Sequence, residues 1–418
     1  MTTSRTVAVL ALAAAVQADA GSLTLLPVPP GASVFLTDVS DDGRVVVGAT
    51  GVQYFYWTRE LGVVYIGGIA PGYQGAGGVG RISADGTRVA GGELNLAGKA
   101  DAATYAIDAG GWTTGPGLGA SCDITSTSAY GMSSSGQVVV GGGYATNCGS
   151  FRAFRWDTAA GTIASMQSWF GWSCRANGVS GDGTTVVGWQ ADNTGQWRPC
   201  FWRFNGTSWV QTRPAAPGGT PTTLYGELQA ATDDGQTMFG HATINGIRQP
   251  FRWTQAGGSV GLGTAIDPTI PGAAVDCSGD GSKVLCYFRV GPPATSGEGY
   301  LWSQGSYTPL ETLAAIAGVA VPPEVRLSLP LAMSSDALTI VGTGRDTVQG
   351  IDVTFVLDLR PGGGACTGDL DGDGTVGGSD LGLLLGAWDL AGPGDIDGDG
   401  IVTGADLGLL LGQWGPCP

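Results

Sequence analysis

The chain has 418 residues, of which 75 are glycine and 22 proline, with 13% charged side chains and a formal net charge of −16. That balance describes a loop-dense chain with enough apolar residues for a core, neither disordered nor collagenous. The net charge repels phosphate and disfavours nucleic-acid binding through a basic face, while a single histidine, His241, excludes a multi-histidine zinc centre and is the one residue a Ser-His-Asp relay would have to use.

At the N-terminus, Arg5 precedes an apolar run from Val7 to Val16, followed by Ala18-Asp19-Ala20. A basic flank, a short apolar stretch and a small-x-small site predict a signal peptide over residues 1–20, cleaved after Ala20. The run is far shorter than the roughly 20 residues needed to cross a bilayer. No later apolar stretch is long enough for a spanning helix, so the sequence predicts a secreted, extracellular protein, either soluble or attached to a cell surface through its domains.

Residues 21–360 repeat a turn phrase followed by a β-branched run. Ser40-Asp41-Asp42-Gly43 leads into Val45–Val47, and Ser83-Ala84-Asp85-Gly86 into Val89. The later phrases begin at Ser133, Ser180, Thr232, Ser278 and Ser334, giving seven copies spaced 43 to 56 residues apart. An aromatic run follows each turn, as in Phe55-Tyr56-Trp57, Phe154-Arg155-Trp156, Phe201-Trp202, Phe251-Arg252-Trp253 and Tyr300-Leu301-Trp302. Asp-Gly or Ser-Gly supplies the positive-φ position of a tight hairpin, and valine and aromatic runs suit buried pleated surfaces. Each copy therefore predicts about four strands. One such sheet cannot bury both faces, so seven copies predict an all-β, seven-bladed β-propeller, with valine runs near the axis and tryptophans between sheets. The last copy stops at Phe355–Leu359 without an outer strand, while Leu23-Thr24-Leu25-Leu26 precedes the first without a blade of its own. The N-terminal segment is expected to complete the last blade. The repeat resembles the bacterial extracellular HAF family, whose A-x-x-(I/V)-(N/S)-x-D-G-x-V-V-G and A-F-x-W phrases match Val39–Gly48 and Ala153–Trp156. That family carries no defined activity, so the resemblance implies a fold.

Eight cysteines lie beyond the cleavage site, and an even count in an exported chain predicts disulfides. Cys277 and Cys286 flank the Ser278 turn. Cys122 with Cys148 and Cys174 with Cys200 are natural pairs by equal spacing, although Cys148 with Cys174 remains open. Cys366 and Cys417 bracket the tail.

Past a Gly-rich linker at 361–365, residues 366–418 carry a charge of −9 with no lysine or arginine, leaving −7 for the rest of the chain. Asp369, Asp371, Asp373 and Asp380 stand at positions 1, 3, 5 and 12 of a loop, and Asp395, Asp397, Asp399 and Asp406 repeat them 26 residues later. With glycine at position 6, this is the pattern of an oxygen shell for Ca²⁺, so two calcium sites are expected. Thr375 and Ile401 offer position-7 carbonyls, Thr403 occupies position 9, and Gly377 leaves that place in the first loop to water. Each loop enters a helix-like run with Leu381, Leu384, Leu385 and Trp388, or Leu407, Leu410, Leu411 and Trp414, on one face. The tail resembles a type I dockerin: two loop-helix units, Asp at position 12, and no helix ahead of the first loop. The resemblance implies docking to a cohesin-like or other extracellular protein through Gly378-Ser379, Gly404-Ala405, Leu385-Gly386 and Leu411-Gly412. No basic residue stands at these positions, so an apolar contact through Leu383 and Leu409 is the alternative.

Two functions compete. One is a non-catalytic propeller that binds a glycan or protein; the other is a polysaccharide-degrading glycoside hydrolase, which needs two facing carboxylates. Glu93, Glu227, Glu298 and Glu311 lie outside the turn phrase and are the weak catalytic candidates, whereas Asp41, Asp42, Asp85, Asp182, Asp233, Asp234 and Asp280 read as turn formers. Trp112, Trp169, Trp172, Trp197 and Trp209 fall outside the repeated aromatic run and are candidates for stacking on sugar. His241 aligns with the loop residue after the second strand, where Ala49 stands in the first copy, and no catalytic partner motif accompanies it.

Overall fold

In the computed structural model of the chain, six of the seven turn phrases are held by the same short hydrogen bonds. The first Ser or Thr hydroxyl donates to the third-position Asp, at 2.6 Å in Ser40–Asp42, Ser83–Asp85 and Ser278–Asp280 and 2.7 Å in Thr232–Asp234. That Asp in turn accepts the N–H two residues on, as from Arg44 and Ser282. Gly43, Gly86, Gly183 and their equivalents have φ between 63° and 74°, the left-handed region that glycine enters without strain. Ala337 adopts the same conformation at φ 59° in the seventh copy. In the third copy Ser135 replaces the aspartate, 3.3 Å from Ser133 Oγ.

The structure describes residues 21–26, 34–69, 78–119, 127–144, 151–166, 168–215, 224–265, 267–289, 291–360, 367–371, 374–390, 392, 394–396 and 400–416. The expected signal peptide, the 361–365 linker, Cys122, Cys148, Cys366, Cys417, Asp373, Asp397 and Asp399 lie outside them. The described chain divides into a unit from Ser22 to Leu359 and a C-terminal unit from Arg360.

The first unit is a seven-bladed β-propeller. Strand β1 (Ser22–Leu26) precedes the first blade, β2–β5 (Val34–Val39, Val46–Thr50, Tyr54–Thr58, Gly62–Gly67). The second and third blades are β6–β9 (Arg81–Ile82, Arg88–Leu94, Ala100–Ala106, Gly111–Thr114) and β10–β13 (Thr127–Met132, Val138–Tyr144, Phe151–Asp157, Thr162–Ser165). The fourth and fifth are β14–β17 (Cys174–Val179, Thr185–Ala191, Trp197–Phe204, Trp209–Thr212) and β18–β21 (Gly226–Ala231, Thr237–Ile244, Ile247–Thr254, Gly258–Gly261). The sixth is β22–β25 (Gly272–Cys277, Lys283–Phe288, Glu298–Ser303, Ser306–Pro309), followed by helix α1 (Leu310–Ile316). The seventh joins β26–β28 (Val325–Met333, Thr339–Asp346, Ile351–Asp358) to β1 in the order β1-β28-β27-β26. The N-terminal strand thus closes the ring, as expected, with Ser22 opposite Asp358 and Leu26 opposite Thr354.

The first strands of successive blades touch one another around the axis, from β2 through β26 and back to β2. This corrects the radial order: the valine runs are second strands, and the strands that precede the turns are innermost. Valines alternate between the two faces of their sheet. Val46 packs with Val341 and Val356 of the seventh blade, and Val47 with Ile82 and Val89 of the second. The aromatic runs fill the same spaces, as where Phe201 meets Trp253 at 4.5 Å between the fourth and fifth blades.

The predicted disulfides among the described cysteines do not form: Cys174, Cys200, Cys277 and Cys286 are free, buried thiols. Cys174 lies on β14 and Cys200 on β16, with β15 between them, so their backbones stand roughly 10 Å apart, beyond the reach of a disulfide. A bulge after Ala274 shifts the sixth hairpin so that Cys277 faces Val284 and Cys286 faces Ala274. The free state of Cys174 also removes its alternative pairing with Cys148. Burial pushes all four thiols up from their ordinary pKa, which keeps them protonated and unreactive.

The C-terminal unit contains β29 (Thr375–Val376), α2 (Gly378–Gly386), α3 (Gly404–Gly412) and β30 (Gly415–Pro416), with β29 and β30 antiparallel. Its two halves are related by the 26-residue repeat. A side chain at Gly368 would meet the Leu410 backbone at 3.3 Å, and one at Gly394 the Leu384 backbone at 3.3 Å, so each loop packs on the other half's helix. Val376, Leu384, Val402 and Leu410 form the core, with Leu381 and Leu407 against it. The buried face is narrower than predicted: Leu385, Leu411, Trp388 and Trp414 are exposed. Both helices end at a glycine before the tryptophan, so the i+7 position falls outside the helix, and Val376 and Val402 fill the core instead.

Candidate functional site

In the first acidic loop, Asp369, Asp371 and Asp380 bring carboxylate oxygens within 4.8 Å of one another. Asp380 is fully buried; its Oδ1 accepts the Leu370 and Asp371 N–H groups and its Oδ2 that of Gly377. Burial drives its carboxyl upward, but the three backbone donors outweigh that and hold it below the usual range. Gly374 N–H donates to Asp369 Oδ2 at 2.9 Å, bending the loop around its position-1 carboxylate. The second loop repeats three of these contacts: Ile396 and Thr403 donate to Asp406, and Gly400 to Asp395. Asp406 is likewise fully buried, and Thr403 caps α3 by accepting the Ala405 N–H. Three convergent carboxylates, oxygen donors only, fit a hard divalent cation such as Ca²⁺.

The four glutamates do not gather into one site. Glu93 lies near the end of β7 and accepts the Leu94 N–H. Glu298 and Glu311 come together around Tyr300: the Tyr300 hydroxyl donates to Glu298 Oε2, and both acids add to the burial that raises the phenol's pKa. Glu311 also accepts the Leu327 N–H at 2.9 Å. Glu227, on the inner strand of the fifth blade, is buried by its neighbours rather than by a second acid. It accepts Asn177 Nδ2 at 2.8 Å, lies 3.6 Å from the Arg175 guanidinium and 3.9 Å from His241 Nε2. Burial raises its pKa against the pull of Arg175 and Asn177.

His241 corrects the sequence alignment, since it lies inside β19, directly opposite Glu227, and not in a loop. The strand runs on to Ile244 because Asn245 and Gly246, at φ 52° and 84°, make a two-residue hairpin. Burial, reinforced by Arg248, lowers the imidazole pKa to about 3, so His241 is neutral at physiological pH.

The tryptophans fall into two groups. Trp112 and Trp209 pack against neighbours: Trp112 touches Tyr54 and Tyr105 and donates to the Ile66 carbonyl, and Trp209 lies against Phe204 beneath Arg155. Trp169 and Trp197 are exposed at the end of the ring opposite the turns, where the chain crosses from blade to blade. There the Arg213 guanidinium lies 4.5 Å from the Trp169 ring and 5.9 Å from that of Trp172.

At the turn end, Asp41 and Asp233 are not turn formers as their sequence phrase predicts: they stand at the second turn position and serve the axis. Turn N–H groups donate to the next blade, from Asp41 to Ala84 O, Ala84 to Ser134 O and Ser134 to Gly181 O; the fourth turn passes the link through its third residue, Asp182 to Asp233 O, and the second-position groups of Asp233 and Gly279 carry it on to Gly279 O and Ser335 O. The Ser335 N–H closes the belt on the Asp41 carboxylate. Asp41 and Asp233 line a cavity of about 360 Å³ at this end, and burial and then Asp233 raise the Asp41 pKa. The signal that distinguishes them is position within the turn phrase: the third residue holds the turn and the second faces its counterparts.

No family model and no curated protein matches the chain. Among solved structures it is similar to the β-propeller domain of the trilobed protease from Pyrococcus furiosus, at 10% identity over 78% of this chain and 95% of that one, TM-score 0.52. It is also similar to oligogalacturonate lyase from Vibrio parahaemolyticus, at 11% identity over 81% of this chain and 97% of that one, TM-score 0.51. At these identities the likeness is one of fold, and among the described residues no helix is long and apolar enough to cross a membrane.

Proposed function

We propose that the chain is an exported binding module: its propeller holds a glycan or protein ligand, and its C-terminal unit, a dockerin-like module ordered by two calcium ions, attaches it to a surface or extracellular assembly. The observation that carries this reading is the duplicated loop-helix unit, with a buried position-12 aspartate in each half and three carboxylates converging in the first loop. When bound, calcium would be held by Asp369, Asp371 and Asp380 and by their repeat partners Asp395 and Asp406, and would neutralise the clustered charge. The exposed Leu383, Leu385, Leu409, Leu411, Trp388 and Trp414 favour an apolar contact with an extracellular, cohesin-like partner over a basic one.

The test is retention of the purified chain on polysaccharide resins and on immobilised cohesin, with calcium and with chelator. Tail-mediated capture should vanish with chelator and in an Asp369→Asn, Asp395→Asn variant, while retention through the propeller persists. Capture that ignores both changes would defeat the attachment reading. The alternative, a polysaccharide hydrolase, is favoured by one observation, the approach of Glu298 and Glu311 to Tyr300. Release of reducing ends that is lost in Glu298→Gln or Glu311→Gln would replace the binding reading.

A further inference from the structure

We infer that the cavity between the fourth and fifth blades, at the crossover end of the ring, binds a carboxylate-bearing sugar, a uronic acid residue of an acidic glycan. This rests on the reading of the propeller as a binding module and names its ligand class. The cavity holds about 250 Å³ and is lined by Gln196, Trp197, Tyr225, His241, Thr243 and Arg248. Pockets for drug-sized ligands span roughly 300–1,000 Å³, so this one suits a single ring.

Its walls combine a flat apolar surface with one cation. Trp197 is 46% exposed and stacks on Trp189 with ring centroids 4.5 Å apart and 13° between planes, which fixes the indole and leaves it a face to offer. The turn that carries Gln196 and Trp197 is locked by Asp192, whose carboxylate accepts the Thr194 and Gln196 N–H groups and pairs with Arg198 at 2.6 Å. The Arg198 guanidinium lies 3.8 Å from the Tyr225 ring centroid, setting the opposite wall, where Tyr225 is 40% exposed. The platform is therefore rigid before any ligand arrives, which lowers the ordering cost of binding.

Arg248 supplies the charge. Its one hydrogen bond among the described residues goes to the Tyr287 hydroxyl at 3.1 Å, and no described carboxylate lies within salt-bridge distance of it. The adjacent Glu227 is held by Asn177 and Arg175, and Arg248 acts on it only through space, without a direct ion pair. His241 adds no charge, and its buried Nδ1 has no hydrogen-bond partner among the described residues. A planar guanidinium presents a fork that matches the two oxygens of a carboxylate. A neutral sugar would cover the tryptophan and leave that fork unanswered. The fork also matches two phosphate oxygens, but among the described residues no second cation lines the cavity to balance the second charge of a phosphate monoester.

The experiment is calorimetric titration of the full chain with trigalacturonate, and with maltotriose as a neutral trimer. Trigalacturonate should bind at least about tenfold more tightly, since a charge-assisted hydrogen bond is worth about one to two decades of affinity. Arg248→Gln should weaken trigalacturonate roughly 10- to 100-fold and erase its advantage, and Arg248→Lys, which keeps charge without the fork, should lose part of it. Trp197→Ala should weaken both trimers, with a melting temperature close to that of the wild type. Equal affinity for the two trimers, or trigalacturonate binding unchanged by Arg248→Gln and Trp197→Ala, would overturn this site while leaving a glycan-binding propeller intact. Failure to bind either trimer or any polysaccharide resin would overturn both the site and the glycan reading.

Discussion

Shortening Leu26 tests how the ring is closed. Leu26 is 7% exposed and packs with Val34, Leu36, Val46 and Val356, joining the first and seventh blades, whereas its neighbour Leu25 is 37% exposed. Leu26→Ala should cost about 2–4 kcal/mol through lost burial and the cavity left behind. Leu25→Ala should cost under about 1 kcal/mol. A unit spanning Ser22–Leu359, with an unfolding entropy of about 2.1 cal/mol/K per residue, shifts by roughly 1–2 °C per kcal/mol, so Leu26→Ala should melt roughly 3–6 °C lower. Removing residues 21–26 should do more. It strips the ladder along β28, takes the Leu26 carbonyl from the buried Thr354 hydroxyl, 3.1 Å away, and opens a sheet edge to association. Thermal melts by circular dichroism, at fixed calcium, check the series. Equal effects of Leu25→Ala and Leu26→Ala, or a truncated chain that melts with the wild type, would refute closure by the N-terminal strand.

Three other predictions concern acidic residues of the propeller. Asp276 accepts the Met333 N–H at 2.9 Å, and burial pushes its carboxyl up to about 7, so between about pH 4 and pH 7 the folded protein holds a proton the unfolded chain has released. Its contribution is therefore fully present below pH 4 and is lost as pH rises through 7, by up to about 4 kcal/mol; denaturant titrations at pH 4 and pH 8 should show that loss shrinking in Asp276→Asn. Asp280 behaves oppositely, since its bond from Ser278 and the Ser282 N–H lower it to about 2, giving stability present above pH 4 and lost as pH falls through 2. Ser278→Ala should cost about 1 kcal/mol in chemical denaturation and flatten that acid dependence, and an unchanged midpoint would count against the turn's role. If the propeller is non-catalytic, Glu298→Gln and Glu311→Gln should leave reducing-sugar release at background, as in the wild type.

Blade number, turn chemistry and ring closure were legible in the sequence because each is local: the Ser-x-Asp-Gly phrase encodes its own hydrogen bonds, and an unpaired N-terminal run answers an unpaired last blade. Radial order was not legible. Alternation reports which face of a sheet is buried but not which strand lies nearest the axis, and the inner strands carry polar residues such as Asp38, Arg81 and Asp276 that make them look like loops. The thiol pairs failed for a related reason, since a bulge after Ala274 and the intervening β15 set distances that spacing alone cannot report. Trp197 and Glu227 were both singled out by sequence, but their place in and beside one cavity with His241 and Arg248 depends on blade packing across residues far apart in the chain. In the tail, the spacing of Asp369, Asp371 and Asp380 points to the carboxylates that the described residues bring together, whereas helices ending at Gly386 and Gly412 leave the tryptophans outside the predicted face.

Attachment through the C-terminal unit requires two calcium ions, and calorimetric titration of the full chain with calcium tests that requirement directly. Two ions per chain should bind, falling to one in Asp369→Asn or Asp395→Asn, with protection of the tail from proteolysis rising in step. Fewer than two ions in the unaltered chain, or a tail equally protected in chelator, would contradict it.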